Sequence, residues 1–136
     1  MENKIIEATN QRPTTNHIID ANIVNIDIPN IIKQIKNEKP WNESDRNAIT
    51  VFKTNGLSIV LIALHQNAEM IKHKTNGLIS VQVIEGEIKF STDSESINLK
   101  TGQMLALHSF IEHSVLAVEE TFFLLTVTSS TKQFTD

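Results

Sequence analysis

The sequence contains no cysteine. That excludes disulfides, thiolate metal sites and cysteine nucleophiles, and it fits a cytoplasmic chain. Glycine and proline are scarce, with four and three among 136 residues. The glycines fall singly at turn-like positions, so no Gly-rich phosphate loop is present. No apolar run approaches the roughly 20 residues that cross a bilayer as a helix. Residues 1–10 are polar and lack the apolar core of a signal peptide. Membrane association is therefore not expected. Basic residues are also few: Lys plus Arg is 12 against 16 Asp plus Glu, a net charge of -4. A nucleic-acid partner is not expected on that ground, because phosphate contacts need a basic face.

What is present is a globular composition, 40% hydrophobic and 21% charged, at the length of one domain. All three prolines precede Trp41, in a stretch rich in Ile and Asn. Residues 30–39 read as a short helix. Pro29 suits its entry, Asn30 is a candidate N-cap, and Ile31, Ile32 and Ile35 share a face. Lys36 and Lys39 suit its C-terminal end and Pro40 is expected to stop it. Before it, Val24, Ile26 and Ile28 alternate with Asn25 and Asp27 as in a half-buried strand. The first dozen residues have no clear period and are expected to be loose.

From residue 47 the pattern changes. Short apolar stretches recur at 48–52, 57–64, 79–84, 88–91, 96–99, 104–107, 115–118 and 122–128. Turn residues separate them, including the two Asn-Gly pairs Asn55-Gly56 and Asn76-Gly77 within repeated KTNGL segments. Eight short strands without intervening helices indicate an all-β sandwich or barrel and argue against βαβ units. Both faces are apolar in 57–64 and 122–125, so these strands should be covered on both sides, by a second subunit or by the N-terminal segment. That two-sided apolarity leads to the expectation of a homodimer.

Two segments then carry a resemblance. The first runs Asn67, five residues, His73-Lys74-Thr75, three residues, Ile79, six residues, Gly86. The second runs Gly102, five residues, His108-Ser109-Phe110, two residues, His113. In spacing they are similar to the two motifs of the cupins, in particular the small single-domain, RmlC-like jelly-roll proteins. The resemblance implies an all-β, cupin-type jelly-roll β-barrel over 47–128. An irregular arm with one short helix would precede it at 1–46, and a C-terminal tail would come after it at 129–136. It also implies a homodimer.

Carried over position by position, the four metal ligands of the family would be His73, Thr75, Ile79 and His113. Two imidazoles remain, and hydrocarbon replaces the carboxylate. The resemblance places His73 and His113 inward on facing strands near the mouth, with Thr75, Ile79 and Val81 lining the same pocket. Two neutral imidazoles are too few for a structural zinc site and fall short of the usual catalytic set. No cofactor is therefore expected, with a divalent metal (Zn, Ni or Fe) held by His73 and His113 at low occupancy as the alternative. Among the other candidates, His65 and His108 read as loop residues. Trp41 reads as an apolar plug between the arm and the barrel. Glu85, Glu87 and Glu112 have no feature that would raise a carboxyl pKa, and Ser109 and Ser114 lack a nucleophile-elbow context.

The functional expectation is a protein that binds a small ligand in the barrel pocket without a complete metal site, and no catalytic residue is assigned. The alternatives are a metal-dependent enzyme, dioxygenase- or isomerase-like, using His73 and His113, and a structural dimer without a ligand.

Overall fold

The computed structural model describes residues 4–5 and 18–129. The strands are β1 (Lys4–Ile5), β2 (Ile18–Asp20), β3 (Arg46–Thr54), β4 (Leu57–Leu64), β5 (Glu69–His73) and β6 (Ile79–Glu85). They continue with β7 (Glu87–Thr92), β8 (Ser96–Lys100), β9 (Met104–Leu107), β10 (His113–Ala117) and β11 (Thr121–Thr128). Two helices, α1 (Ile28–Asn37) and α2 (Lys39–Glu43), precede the main sheets.

The strands from β3 onward form two antiparallel sheets. One has the order β3-β4-β11-β6-β9 and the other β5-β10-β7-β8. Among the described residues the sheets are not joined into one hydrogen-bonded ring. The all-β jelly-roll expectation therefore holds as two stacked sheets and not as a continuous barrel.

Alternation sorts the side chains between two apolar layers. Val60, Ile62 and Leu64 of β4, Ile79, Val81 and Val83 of β6, and Phe123 and Leu125 of β11 point between the sheets. There they meet Ile88, Phe90, Leu99, Val115 and Ala117 from the second sheet. The alternate residues Leu61, Ala63 and Phe122 point outward, onto Ile32, Ile35 and Trp41 of the helices. The two-sided apolarity of β4 and of the start of β11 thus has a cover within the chain. The arm, and not a second subunit, shields these positions.

The N-terminal half departs from the expectation in three places. Helix α1 starts two residues early. The Asp27 carboxylate accepts from the Asn30 N–H at 3.2 Å and caps the helix, and Pro29 lies within the first turn. Ile28 is consequently helical and Val24–Asp27 is not strand, because Ile26 and Ile28 pack against the helical layer instead of pairing in a ladder. Pro40 does not end the helical region either. Glu38 breaks it, and Pro40 sits in the first turn of α2, which turns Trp41 onto the sheet. Residues 4–5 pair with β2, whereas the rest of the first dozen, like 130–136 of the expected tail, lies outside the described residues.

In the main sheets, β4 and β9 match the apolar stretches and the other six predicted strands are longer by one to four residues. The strand not predicted is β5. Its sequence, EMIKH, alternates poorly because it is an edge strand with only Met70 packed into the core. Two glycines are required by the path of the chain. Gly86 has φ +106 between β6 and β7, where a Cβ would collide with the Glu120 carbonyl oxygen. A Cβ at Gly77 would overlap the Thr128 carbonyl, so the chain crosses the end of β11 only without a side chain.

Candidate functional site

The C-terminal ends of β5, β7, β9 and β11 and the starts of β6 and β10 meet at one mouth of the sandwich, bridged by loops 74–78 and 108–112. These loops are tied together where the Phe110 N–H donates to the Thr75 carbonyl at 2.9 Å. Phe110 holds φ +63, a left-handed conformation. Asn67, where the first of the two segments begins, likewise has φ +73.

Register fixes what faces the mouth. His113 of β10 stands directly opposite His73 of β5 on one side and Thr92 of β7 on the other. Directly opposed residues share a face, so Thr92, His113 and His73 form a polar row across one wall. On the other sheet Ile79 stands opposite Leu107 and Val127, an all-hydrocarbon row across the facing wall. One row deeper lie Val115 and Phe90 on one sheet and Val81, Leu105 and Leu125 on the other.

The structure brings His73 and His113 together, with ring centroids 4.4 Å apart. It corrects how they meet: they are cross-strand neighbours within one sheet, not residues of facing strands. His113 is buried, 5% exposed, and its ring lies nearly parallel to that of Phe90 at 5.3 Å. His73 is exposed at the edge of the mouth. In each ring Nδ1 contacts the carbonyl two residues back, Ile71 for His73 and Ile111 for His113, both at 2.9 Å. A carbonyl can only accept, so each Nδ1 carries a proton, and a ring in its neutral form keeps its lone pair on Nε2. Burial holds the His113 pKa below the ordinary imidazole value, with the Ile111 hydrogen bond opposing and the neighbouring His73 adding to the shift.

The other expected residues divide between the cleft, a loop and the core. Ile79 is buried opposite the histidine row and lines a cleft of about 230 Å³ with Leu78, Ala106, Leu107 and His108. Thr75 lies half-buried in the loop after β5. Val81 is one row deeper in the packed core. Residues not singled out from the sequence are Phe90, Thr92, Ile97, Leu105 and Leu107, which with Glu95 and Ala106 line an adjoining cleft of about 110 Å³. Their signal was the alternation within 88–91 and 104–107, which has the form of an ordinary core pattern.

Thr92 contributes little free polarity to the mouth. Its hydroxyl accepts from the N–H groups of Ser94 and Glu95, both at 3.3 Å, within its own turn. Outside the row, Lys72 is paired with Asp93 at 2.7 Å and Glu112 at 3.5 Å. The residues fit a metal poorly. Two imidazole nitrogens are available, Ile79 supplies hydrocarbon, and no group of three or more His, Cys, Asp or Glu among the described residues could hold an ion.

His65 has a structural role that its loop position hid. Its ring stacks on Trp41 at 3.5 Å, Nε2–H donates to the Trp41 carbonyl at 2.8 Å, and Nδ1 lies 3.4 Å from a Glu120 oxygen. It fastens α2 to the sheet. Trp41 is the plug expected between arm and sheets, buried against Phe122.

No family model matches the sequence, and no curated protein matches it. Solved structures do. A conserved Streptococcus pyogenes protein of unknown function superposes with a TM-score of 0.61 at 25% identity, covering 66% of this chain and 80% of that one. An RmlC-like cupin from Desulfovibrio desulfuricans gives 0.57 at 26% identity, covering 61% and 81%. Salicylate 1,2-dioxygenase from Pseudaminobacter salicylatoxidans gives 0.56 at 20% identity, covering 61% of this chain and 26% of that one. The two sheets, their order and these likenesses show a small protein with a cupin-type jelly-roll fold. Proteins sharing that fold include enzymes as well as proteins of unknown function, so fold alone assigns no activity here. Among the described residues no helix is long and apolar enough to cross a membrane.

Proposed function

We propose that this chain binds a small molecule at the mouth of the sandwich, between the His73–His113–Thr92 row and the Leu107–Ile79–Val127 row, without a complete metal site. The observation that supports this most is His113 itself. It is a buried side chain whose Nε2 has no hydrogen-bond partner among the described residues, and its neighbours Phe90 and Thr92 line an apolar cleft. Although the ring is buried, Nε2 is not among the buried unpartnered atoms, so its lone pair reaches the surface of the mouth and is available to a hydrogen brought by a ligand. A fragment library screened by NMR, observing the ring signals of His73 and His113, tests the reading. Binders should shift both rings, and Leu107→Trp, which fills the cleft, should abolish the shifts. A library without a single such binder would refute the reading and leave a structural dimer as the better account.

The metal-dependent alternative, a dioxygenase- or isomerase-like enzyme, has one observation in its favour. Both rings donate Nδ1–H to a backbone carbonyl and leave Nε2 bare, which is how metal-bound histidines are held. Stoichiometric, chelator-resistant metal in protein purified without an affinity tag would favour it.

The same reading includes a homodimer and a cytoplasmic location. The lack of cysteine supports the location. The dimer rests on the part of the outer sheet face that the helices leave open, where Met104 is 57% exposed beside Ala106. Light scattering over a concentration series tests it, and a monomer at every concentration would refute it.

A further inference from the structure

With the mouth taken as a ligand site, on the reading proposed for it, the chemistry of its two walls narrows the kind of molecule it holds. We infer that the ligand is an uncharged phenol or small aromatic alcohol, with its hydroxyl donating to the Nε2 of His113 and its ring against the hydrocarbon wall.

The direction of the hydrogen bond excludes most other chemistries. The Nδ1 protons of both histidines are committed to the Ile71 and Ile111 carbonyls. No carboxylate lies within ion-pair distance of either ring among the described residues. The neutral His113 ring therefore presents a lone pair and no free donor. A group that completes it must bring a hydrogen. A carboxylate brings only acceptors, so it would set lone pair against lone pair. A plain hydrocarbon would leave His113 unsatisfied in a buried setting, where an unmet polar group is costly.

Charge at the rim points the same way. Asp93, Glu95 and Glu112 surround the entrance, Glu95 lining the cleft wall itself. Against them stand Lys72, engaged by Asp93 and Glu112, and the exposed Lys74. Excess negative charge at the rim disfavours an anion. No guanidinium or ammonium group belongs to either inward-facing row.

Shape adds an independent constraint. The facing wall of Leu107, Ile79 and Val127 is hydrocarbon throughout, and Phe90 lies nearly parallel to His113 as a further aromatic surface. The adjoining clefts measure about 110 and 230 Å³. An apolar cavity of about 150 Å³ suffices to hold benzene. One ring with one hydroxyl matches both the cleft volumes and the one unpartnered lone pair of His113.

The test uses the full chain and three probes with the same ring: phenol, benzoate and toluene. Each is titrated while the His73 and His113 ring signals are followed by NMR. Phenol should bind about tenfold or more tightly than either of the others, as one additional satisfied hydrogen bond implies. In His113→Phe, phenol should fall to the affinity of toluene while toluene still binds. The ranking in the unmodified protein decides the matter whether or not that variant folds. Benzoate binding as tightly as phenol, or phenol no better than toluene, would overturn the hydroxyl assignment while leaving the mouth as a ligand site. Binding by none of the three overturns the inference, and the fragment screen then decides separately whether the mouth binds ligands at all.

Discussion

Replacing Gly86 by alanine should cost far more than the same change at another turn glycine, and the structure separates the two causes. Gly86 and Gly56 both hold positive φ, +106 and +95. At Gly56 an added Cβ meets nothing within 4 Å, so Gly56→Ala measures the backbone term alone. That term is about 1–2 kcal/mol for an L residue forced to positive φ. It is reduced by about 0.4–1 kcal/mol because alanine loses less chain entropy on folding. At Gly86 the Cβ would also meet the Glu120 carbonyl and lie 2.8 Å from the Cα of Thr121. Thr121 is fully buried. Its hydroxyl accepts from the Glu87 N–H at 3.0 Å and is directed at the carbonyls of Glu119 at 2.8 Å and Glu87 at 3.0 Å. Displacing it leaves buried polar groups unpaired, at about 1–3 kcal/mol. The expected total for Gly86→Ala is about 2–4 kcal/mol, against about 1 kcal/mol for Gly56→Ala. For a domain of this size the difference is a melting temperature lower by roughly 5–10 °C. Thermal unfolding of both variants by circular dichroism reads it directly. Equal losses at the two sites would refute the crowding argument and the placement of the β6–β7 turn against β11.

Trp41→Ala removes the plug between helices and sheet and should destabilise by about 3–5 kcal/mol in chemical denaturation, whereas a surface-like loss below about 1 kcal/mol would show the arm to be loosely attached. The depressed His113 pKa gives a signed pH effect: the folded ring holds its proton less tightly than the unfolded one. Its contribution to stability is therefore complete above the unfolded value of about 6.5 and is lost as the pH falls through that value toward the folded pKa. Denaturation midpoints should fall on acidification across that window, less so in His113→Gln, and equal pH slopes would contradict the assignment. Thr75→His combined with Ile79→Glu should raise zinc affinity by at least about tenfold by calorimetry, as restored ligands do, and no gain would refute the motif register.

The sequence showed most where one periodicity ruled. The strands β4, β6, β9 and β11 were legible because apolar residues on both faces, or in strict alternation, left few other assignments. What covered the outer face was not legible. Apolarity on two sides says that a cover exists, and only the path of Pro29, Pro40 and Trp41 makes that cover part of the same chain. β5 escaped notice because an edge strand needs just one inward apolar residue. At the mouth, spacing brought His73 and His113 to one place, but spacing carries no sheet order, so their position as neighbours in one sheet had to come from register. The apolar wall opposite was hidden for the reverse reason: Leu105, Leu107 and Phe90 look like core in any alternating strand.

The central claim is that the mouth binds its ligand through His113 without a metal. The direct measurement is a phenol titration of tag-free protein in excess chelator, followed on the His73 and His113 ring signals and repeated with zinc restored. The account predicts saturable shifts of both rings in chelator, with an affinity that zinc does not improve. Binding that vanishes in chelator and returns with one metal ion per chain would contradict it.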